Sequence, residues 1–288
     1  CGADANPRKR HTNLAEQRRA VGSQKDRPLE LPAEECLPET DSPALTGEAL
    51  TKYQSVAARL NYLALDRLDL QYAAKERMRK MSNATESDMA KLKRAARYLC
   101  GRPRAVLRFP WGQPPAKMTA YVDSDFAGCT STRKSTSGGA LFWGETCLKS
   151  WSKTQPTIAL SSGEAELAAV VRGAAELLGL RSVFNDFGLS ADLALLSDAT
   201  AAIGIVGREG LGKVRHLATA DLWIQQRVRR GELSVAKWPG EKNPADLCTK
   251  GLSPEATSRH LAAMGFTAVA GRAAATPALK AGAGRTSG

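Results

Sequence analysis

Carboxylates in the second half of the chain fall where the layout of elements could bring them together, which is what metal-dependent cleavage of a phosphodiester would need. That chemistry, run with two magnesium ions, needs several acidic side chains at one point, because hard cations prefer oxygen ligands. Asp123 and Asp125 lie in "YVDSDFAG", Asp198 closes the apolar run "LALLSD", and Asp246 stands in "NPADLCTK". The stretch "LSSGEAELAAVV" offers both Glu164 and Glu166. Ser161 and Glu164 have the S-x-x-E spacing of a capping box, which gives Glu164 an ordinary task at a helix start. Glu166 has none. It shares a helical face with Val170, Gly173 and Leu177, and an inward carboxylate needs a partner such as a metal ion. Each acid alone has a plainer reading: Asp246 as an early-helix acid favoured by the dipole, Asp125 as a turn-former before Gly128. Four acids in the order strand, helix, strand, helix are harder to explain singly.

The elements that must position them are readable from periodicity. "MTAYVDSDF" is a strand candidate, and "GGALFWGE" and "LKSWSKTQ" follow at hairpin-like distances. A helix from Ser162 to about Leu180 comes next, then the strand "LALLSD", a helical stretch, and a second helix near 217–230. The strand "LSVAKWP" and a last helix from Asn243 complete the pattern of a mixed α/β sheet with helices on its faces. If the first and fourth strands are parallel neighbours, Asp123 and Asp198 emerge together near the carboxyl edge of the sheet. Upstream, residues 47–112 read as helical. "YQSVAARLNYLALDRLDLQYAAKERMRKM" carries Val56, Leu60, Leu63, Leu70 and Ala74 near helical spacing. Asn83, Thr85 and Asp88 mark another helix start, with an apolar stripe of Met89, Leu92, Ala96 and Leu99 and a stop at Gly101. Lys91, Lys93, Arg94 and Arg97 on its other faces are either a solvated surface or a ridge over phosphates. Residues 1–46 are polar and Pro-rich, expected as a disordered or linker arm. Residues from 267 onward form an Ala/Gly tail with nothing to bury.

Across 288 residues the formal charge is +12, which favours a polyanionic partner, nucleic acid before an acidic membrane. The cysteines (Cys1, Cys36, Cys100, Cys129, Cys147, Cys248) form no C-x-x-C pair, which argues against a zinc cage or disulfide framework and fits a reducing compartment, cytoplasmic or nuclear. His11, His216 and His260 are too scattered for a histidine metal site. No apolar run reaches membrane-spanning length and no signal-peptide core opens the chain. It begins at Cys1, so it is expected to be part of a longer product.

Reverse transcriptases carry adjacent aspartates in a Tyr-x-Asp-Asp hairpin that runs straight into another apolar strand. Here Ser124 separates Asp123 from Asp125, the polar "CTSTRKSTSGG" follows, and no Asp-Asp pair occurs anywhere. Polymerase activity is therefore not expected of this chain.

"YVDSDFAG", "RKSTSGG", "SWSKTQPTIALSSGEAELAA", "SDATAAI" and "NPADLCTKGL" resemble, in order, the ribonuclease H domain of copia-type retrotransposon polyproteins. Residues 50–105, with "NYLA" and "MSNATESDMAKLKRAARYL", resemble the region after the polymerase palm in the same polyproteins. The resemblance implies an α/β fold, a ribonuclease H-like five-stranded mixed sheet flanked by helices and preceded by a small helical segment. The expected layout is an arm at 1–46, the helical segment at 47–114, the ribonuclease H-like domain at 115–252, and a short helix with low-complexity tail at 253–288. It further implies cleavage of the RNA strand of an RNA–DNA hybrid by Asp123, Glu166, Asp198 and Asp246 holding two Mg2+ (or Mn2+) ions. Asp123 would serve both ions, Glu166 and Asp198 the leaving-group side, and Asp246 the attacking water. Arg133, Lys134, Ser135 and Ser137 are the candidate hybrid contacts, with a solvated turn as the plain reading. Trp151 reads as core rather than a stacking platform. An upstream polymerase domain is the implied partner. Ala199 and Thr200 replace the family's Asn-Gln pair, Ala218 replaces an Asp two after His216, and Gly251 replaces a Pro. His216 is left as a cap or packing residue. The alternative is a catalytically inactive nucleic-acid-binding remnant.

Overall fold

The computed structural model describes residues 42–210 and 222–269. Expectations for the arm before residue 42, for His216 and Ala218, for the start of the helix near 217 and for the tail beyond 269 lie outside the described residues.

Helices α1 (Gly47–Leu63), α2 (Gln71–Met78) and α3 (Glu86–Gly101) precede a short strand β1 (Arg104–Leu107). The helical stretch expected through residues 53–81 is broken by a 3-10 turn at Leu68–Leu70. A buried side-chain network causes the break. Arg67 donates to both Asp69 oxygens (2.9 and 2.6 Å) and to the Arg102 carbonyl (2.9 Å), while Tyr98 Oη donates to Asp69 Oδ2 (2.7 Å). Such paired, charge-assisted bonds compete successfully with helix continuation. α3 opens with the Thr85–Asp88 capping box read from the sequence. Its buried face is Leu92, Ala95 and Tyr98, whereas Ala96 is exposed and Met89 and Leu99 are only half-buried. The Tyr98 ring offers the largest buried area on this helix and turns the inward face by one position.

Strands β2 (Lys117–Asp125), β3 (Thr136–Trp143) and β4 (Thr146–Thr154) form an antiparallel meander in which Asp123 pairs with Gly138. Helix α4 (Ser162–Asp186) then carries the chain across the sheet, so β5 (Asp192–Ser197) lies parallel to β2. Helices α5 (Thr200–Gly207) and α6 (Trp223–Arg229) precede β6 (Ser234–Lys237), parallel to β5. Parallel neighbours require crossovers of this kind. The sheet order is β4-β3-β2-β5-β6, the five-stranded mixed arrangement of the ribonuclease H fold, with Asp123 on its central strand. The helix expected from Asn243 is a 3-10 segment, Pro244–Cys248, followed by α7 (Pro254–Ala263) and β7 (Phe266–Val269). β7 pairs antiparallel with β1, and Phe266 is buried, so residues 266–269 are a strand rather than the start of an empty tail.

Alternation along β2 feeds two cores. Met118, Ala120 and Val122 face α4, where they meet Leu167, Val170, Ala174 and Leu177. Gly173 makes this contact possible, because a Cβ there would lie 2.5 Å from Val122 Cγ1. Trp151 belongs to the same core, as the sequence suggested. The opposite face, with Ala140 and Phe142, shares one core with Tyr53, Leu60 and Tyr98 of the helical segment and with Leu261 and Phe266. Among the described residues, no helix is long and apolar enough to cross a membrane.

Candidate active site

Each acidic residue reaches the same end of the sheet by a local cause. Asp123 is on β2, 5% exposed. The β2–β5 register ends with Tyr121 opposite Leu196, and two further steps bring Asp198 level with Asp123. At the start of α4, Ser161 Oγ accepts from the Glu164 amide and Glu164 Oε2 accepts from the Leu160 amide at 2.8 Å, so Glu164 is consumed by the cap. Two residues are about 200° of helix turn, and Glu166 therefore points the other way, towards β2. Its Oε1 accepts from the Ser124 amide at 3.3 Å. Asp246 comes from the 3-10 segment, capped by Asn243 and opened by Pro244.

Carboxylate oxygens of Asp123, Glu166 and Asp198 lie within 4.8 Å of one another. If both members of a pair are ionised at that separation, with an effective dielectric constant near 20, they repel by about 3 kcal/mol. The ionisation behaviour follows. Burial first, then the charges of Asp123 and Asp198, push Glu166 up to about 8. Burial and then Asp123 push Asp246 up to about 6, and the same two causes raise Asp198. Lys250 Nζ stands 3.0 Å from Asp246 Oδ2 on a half-exposed side chain. Burial disfavours its charge, but the Asp123, Asp246 and Asp198 carboxylates more than offset this and raise its pKa. Lys250 and Lys237 both favour the Asp198 carboxylate, yet burial and Asp123 outweigh them. Among the described residues, Glu166 Oε2 is buried without a hydrogen-bond partner, and a set of donors made up of carboxylate oxygens fits a divalent cation.

Residues outside the acidic set hold the site together. Buried Asn243 donates from Nδ2 to the Val122 carbonyl at 2.8 Å and accepts from the Ala245 amide at 3.1 Å. Buried Thr249 donates from Oγ1 to Asp123 Oδ2. Gln155 donates to Ser137 Oγ (2.9 Å) and to the Ala165 carbonyl (2.8 Å), tying the end of β4 to β3 and to the first turn of α4. The Asn-Pro pair at 243–244 was a legible cap signal; Thr249 and Gln155 carry no local signal.

The loop of candidate hybrid contacts divides in two. Arg133 is exposed and Lys134 half-buried. Ser135 and Ser137 are buried, with Ser135 Oγ accepting from the Ala127 amide (2.9 Å) and Ser137 Oγ from Gln155, so both hydroxyls are engaged inside the protein. After Asp198, the Ala199 amide caps onto Ser197 Oγ (3.1 Å) and Thr200 Oγ1 accepts from Lys237 Nζ (3.1 Å).

No protein-family model matches the chain. The retrovirus-related Pol polyprotein from transposon RE2 of Arabidopsis thaliana is 31% identical over 225 residues, covering 75% of this chain and 15% of that protein. The corresponding RE1 polyprotein of Arabidopsis thaliana is 29% identical over 222 residues, covering 76% and 15%. The chain thus spans about 15% of the length of these curated relatives. Among solved structures, the N-terminal ribonuclease H domain of rv2228c from Mycobacterium tuberculosis is 16% identical, with coverage of 51% and 96% and a TM-score of 0.34. The fold assignment rests on strand order and register instead. The chain belongs to the retrovirus-related Pol polyproteins of copia-type transposons, and the part of that family it holds has the ribonuclease H fold.

Proposed function

We propose that this chain is a ribonuclease H-type endonuclease that hydrolyses the RNA strand of RNA–DNA hybrids with divalent metal ions, as part of a retrotransposon polyprotein. The observation that carries the reading is the uncompensated carboxylate cluster of Asp123, Glu166 and Asp198 at the carboxyl end of parallel strands β2 and β5. Asp123, Glu166, Asp198 and Asp246 would hold Mg2+ or Mn2+. The bound ions would supply an activated water and neutralise charge building on the leaving oxygen. The chain's own part is positioning. β2 and β5 keep Asp123 and Asp198 side by side, α4 brings Glu166 in from one face, and the 3-10 segment brings Asp246 in from the other. Arg133 and Lys134 would present cations to the hybrid's phosphates, while Ser135 braces the loop that carries them through the Ala127 amide and Ser137, already on β3, is bonded to Gln155. Residues 47–114 are read as the region after the polymerase palm, with a polymerase domain of the same polyprotein as partner.

A labelled RNA–DNA hybrid, incubated with Mg2+ or Mn2+ and assayed in parallel for binding in chelator, tests the proposal. Cleavage by the wild type, lost in Asp123→Asn and Asp198→Asn with binding retained, supports it. Asn variants that still cut overturn the metal assignment. A binding-only remnant is the second reading, favoured by Ala199 and Thr200 standing where the family has Asn-Gln. Binding without cleavage by the wild type would establish it.

A further inference from the structure

We propose that Thr249 is a positioning residue for the Asp123 carboxylate, acting with Asn243 and Gly138 to fix Asp123 and Asp246 relative to each other. The inference rests on the cation-dependent reading above. An aspartate side chain rotates about two bonds, and a carboxylate that swings among rotamers presents its oxygens to a cation only part of the time. Thr249, with 0% exposure, donates to Asp123 Oδ2 and thereby holds the carboxylate. A carboxylate offers about four lone-pair sites, so one donor orients it and leaves the others for metal. The rival acceptor, the Asp246 carbonyl, is farther from Thr249 Oγ1 at 3.3 Å.

Two neighbouring features exist to bring Thr249 that close. Gly138 is the register partner of Asp123, and a Cβ there would lie 2.6 Å from Thr249 Cγ2 and 2.9 Å from the Ala245 carbonyl. A glycine in a strand interior is otherwise unfavourable, and close approach of another backbone is a standard reason for one. At the other end of the segment, Asn243 Nδ2 grips the Val122 carbonyl at 2.8 Å. The 243–249 segment is thus pinned to consecutive residues of β2, Val122 and Asp123, by its two ends. Asp246 lies midway between the pins, so the tether that orients one proposed ligand also sets the position of the other.

The test compares Thr249→Val, which keeps the shape and removes the hydroxyl, with Thr249→Ser, which does the reverse. The full chain is titrated with Mg2+ and with Mn2+ by calorimetry, alongside thermal melts in chelator and steady-state hybrid cleavage. Outer-sphere partners of metal ligands are typically worth 10–100-fold in affinity or activity. Thr249→Val should therefore bind the ions about 10–100-fold more weakly and lose turnover to match, whereas Thr249→Ser should stay within about threefold of wild type. Equal affinity in Thr249→Val and wild type, or an equal loss in Thr249→Ser, overturns the proposal. So does a Thr249→Val chain that fails to fold beside a folded Thr249→Ser of wild-type affinity, since the hydroxyl would then be architectural. A wild type that binds the ions but cuts no hybrid sinks the nuclease reading alone, and the affinity comparison still decides this one. A wild type that binds no divalent ion sinks both.

Discussion

Replacing Glu166 with Gln should make the metal-free protein more stable while removing its activity. The side chain keeps its size, and Oε1 can still accept from the Ser124 amide. What disappears is an acid whose charged form burial, Asp123 and Asp198 all disfavour. In the folded protein burial and the neighbouring acids push the Glu166 carboxyl up to about 8 from an ordinary 4.5. A carboxyl whose folded pKa is raised binds its proton more tightly when folded. Its penalty is therefore absent below pH 4.5, grows as pH rises, and levels off above about 8. With 1.36 kcal/mol per unit, the penalty is on the order of 3 kcal/mol at pH 7 and below 1 kcal/mol at pH 5. The new amide also places a donor where Oε2 now has no partner.

Thermal unfolding in chelator at pH 5, 7 and 8.5 checks the argument. For a folded unit of this size, about 3 kcal/mol corresponds to a Tm increase of roughly 6–12 °C at pH 7, shrinking towards zero at pH 5. Excess Mg2+ should invert the order, because an ion bound only by the folded state stabilises wild type by mass action and the variant much less. A variant that melts below wild type in chelator at pH 7, or a gain that does not change with pH, would refute the picture of an uncompensated acidic cluster.

Three further predictions follow from packing and charge. Trimming the chain to 115–252 removes Tyr53, Leu60, Tyr98, Leu261 and Phe266 from the core they share with Ala140 and Phe142; the trimmed chain should be insoluble or melt without cooperativity, while 42–269 should give a cooperative circular-dichroism transition. Gly173→Ala places a methyl 2.5 Å from Val122 Cγ1 and should cost about 1–3 kcal/mol in denaturant titration, whereas Gly179→Ala on the same helix, with nothing within 4 Å, should be neutral or stabilising. The double substitution Arg133→Ala, Lys134→Ala should weaken hybrid binding and reduce its log–log salt slope by about one to two; an unchanged slope removes this loop from the interface.

How much was legible in the sequence depends on how far a residue's cause lies along the chain. The Thr85–Asp88 box, the Ser161 cap and the inward face of Glu166 are set within one or two helical turns, and the structure has them where periodicity puts them. The break at Leu68–Leu70 answers to Tyr98 and Arg102, and β7 exists because β1 offers it an edge; neither partner is near in sequence. Ser135 and Ser137 misled because polar residues beside "RK" read as solvated, yet the next strand begins at Thr136 and their hydroxyls turn to Ala127 and Gln155.

The carboxyl end of β2 and β5 is also where local rules are most openly broken. Gly138 and Gly139 weaken a strand next to the central one, and each is required by a close neighbour: the Thr249 segment for the first, the Trp151 ring for the second. Glu166 sits inward with an oxygen unpartnered among the described residues, Asp123 and Asp198 crowd it, and Asp123 also raises the cost of ionising Asp246. In a protein selected for stability alone, such conflicts would be relieved by an apolar residue or an added cation at little structural expense. Lys250 shows that a cation can reach this cluster, yet it stands half-exposed against Asp246 while Glu166 Oε2 stays unsatisfied. Violations that converge on one point, beside the buried tethers of Asn243 to Val122 and Thr249 to Asp123, are expected where a fold is arranged for a ligand. The ligand we propose for this set of oxygens is a divalent ion.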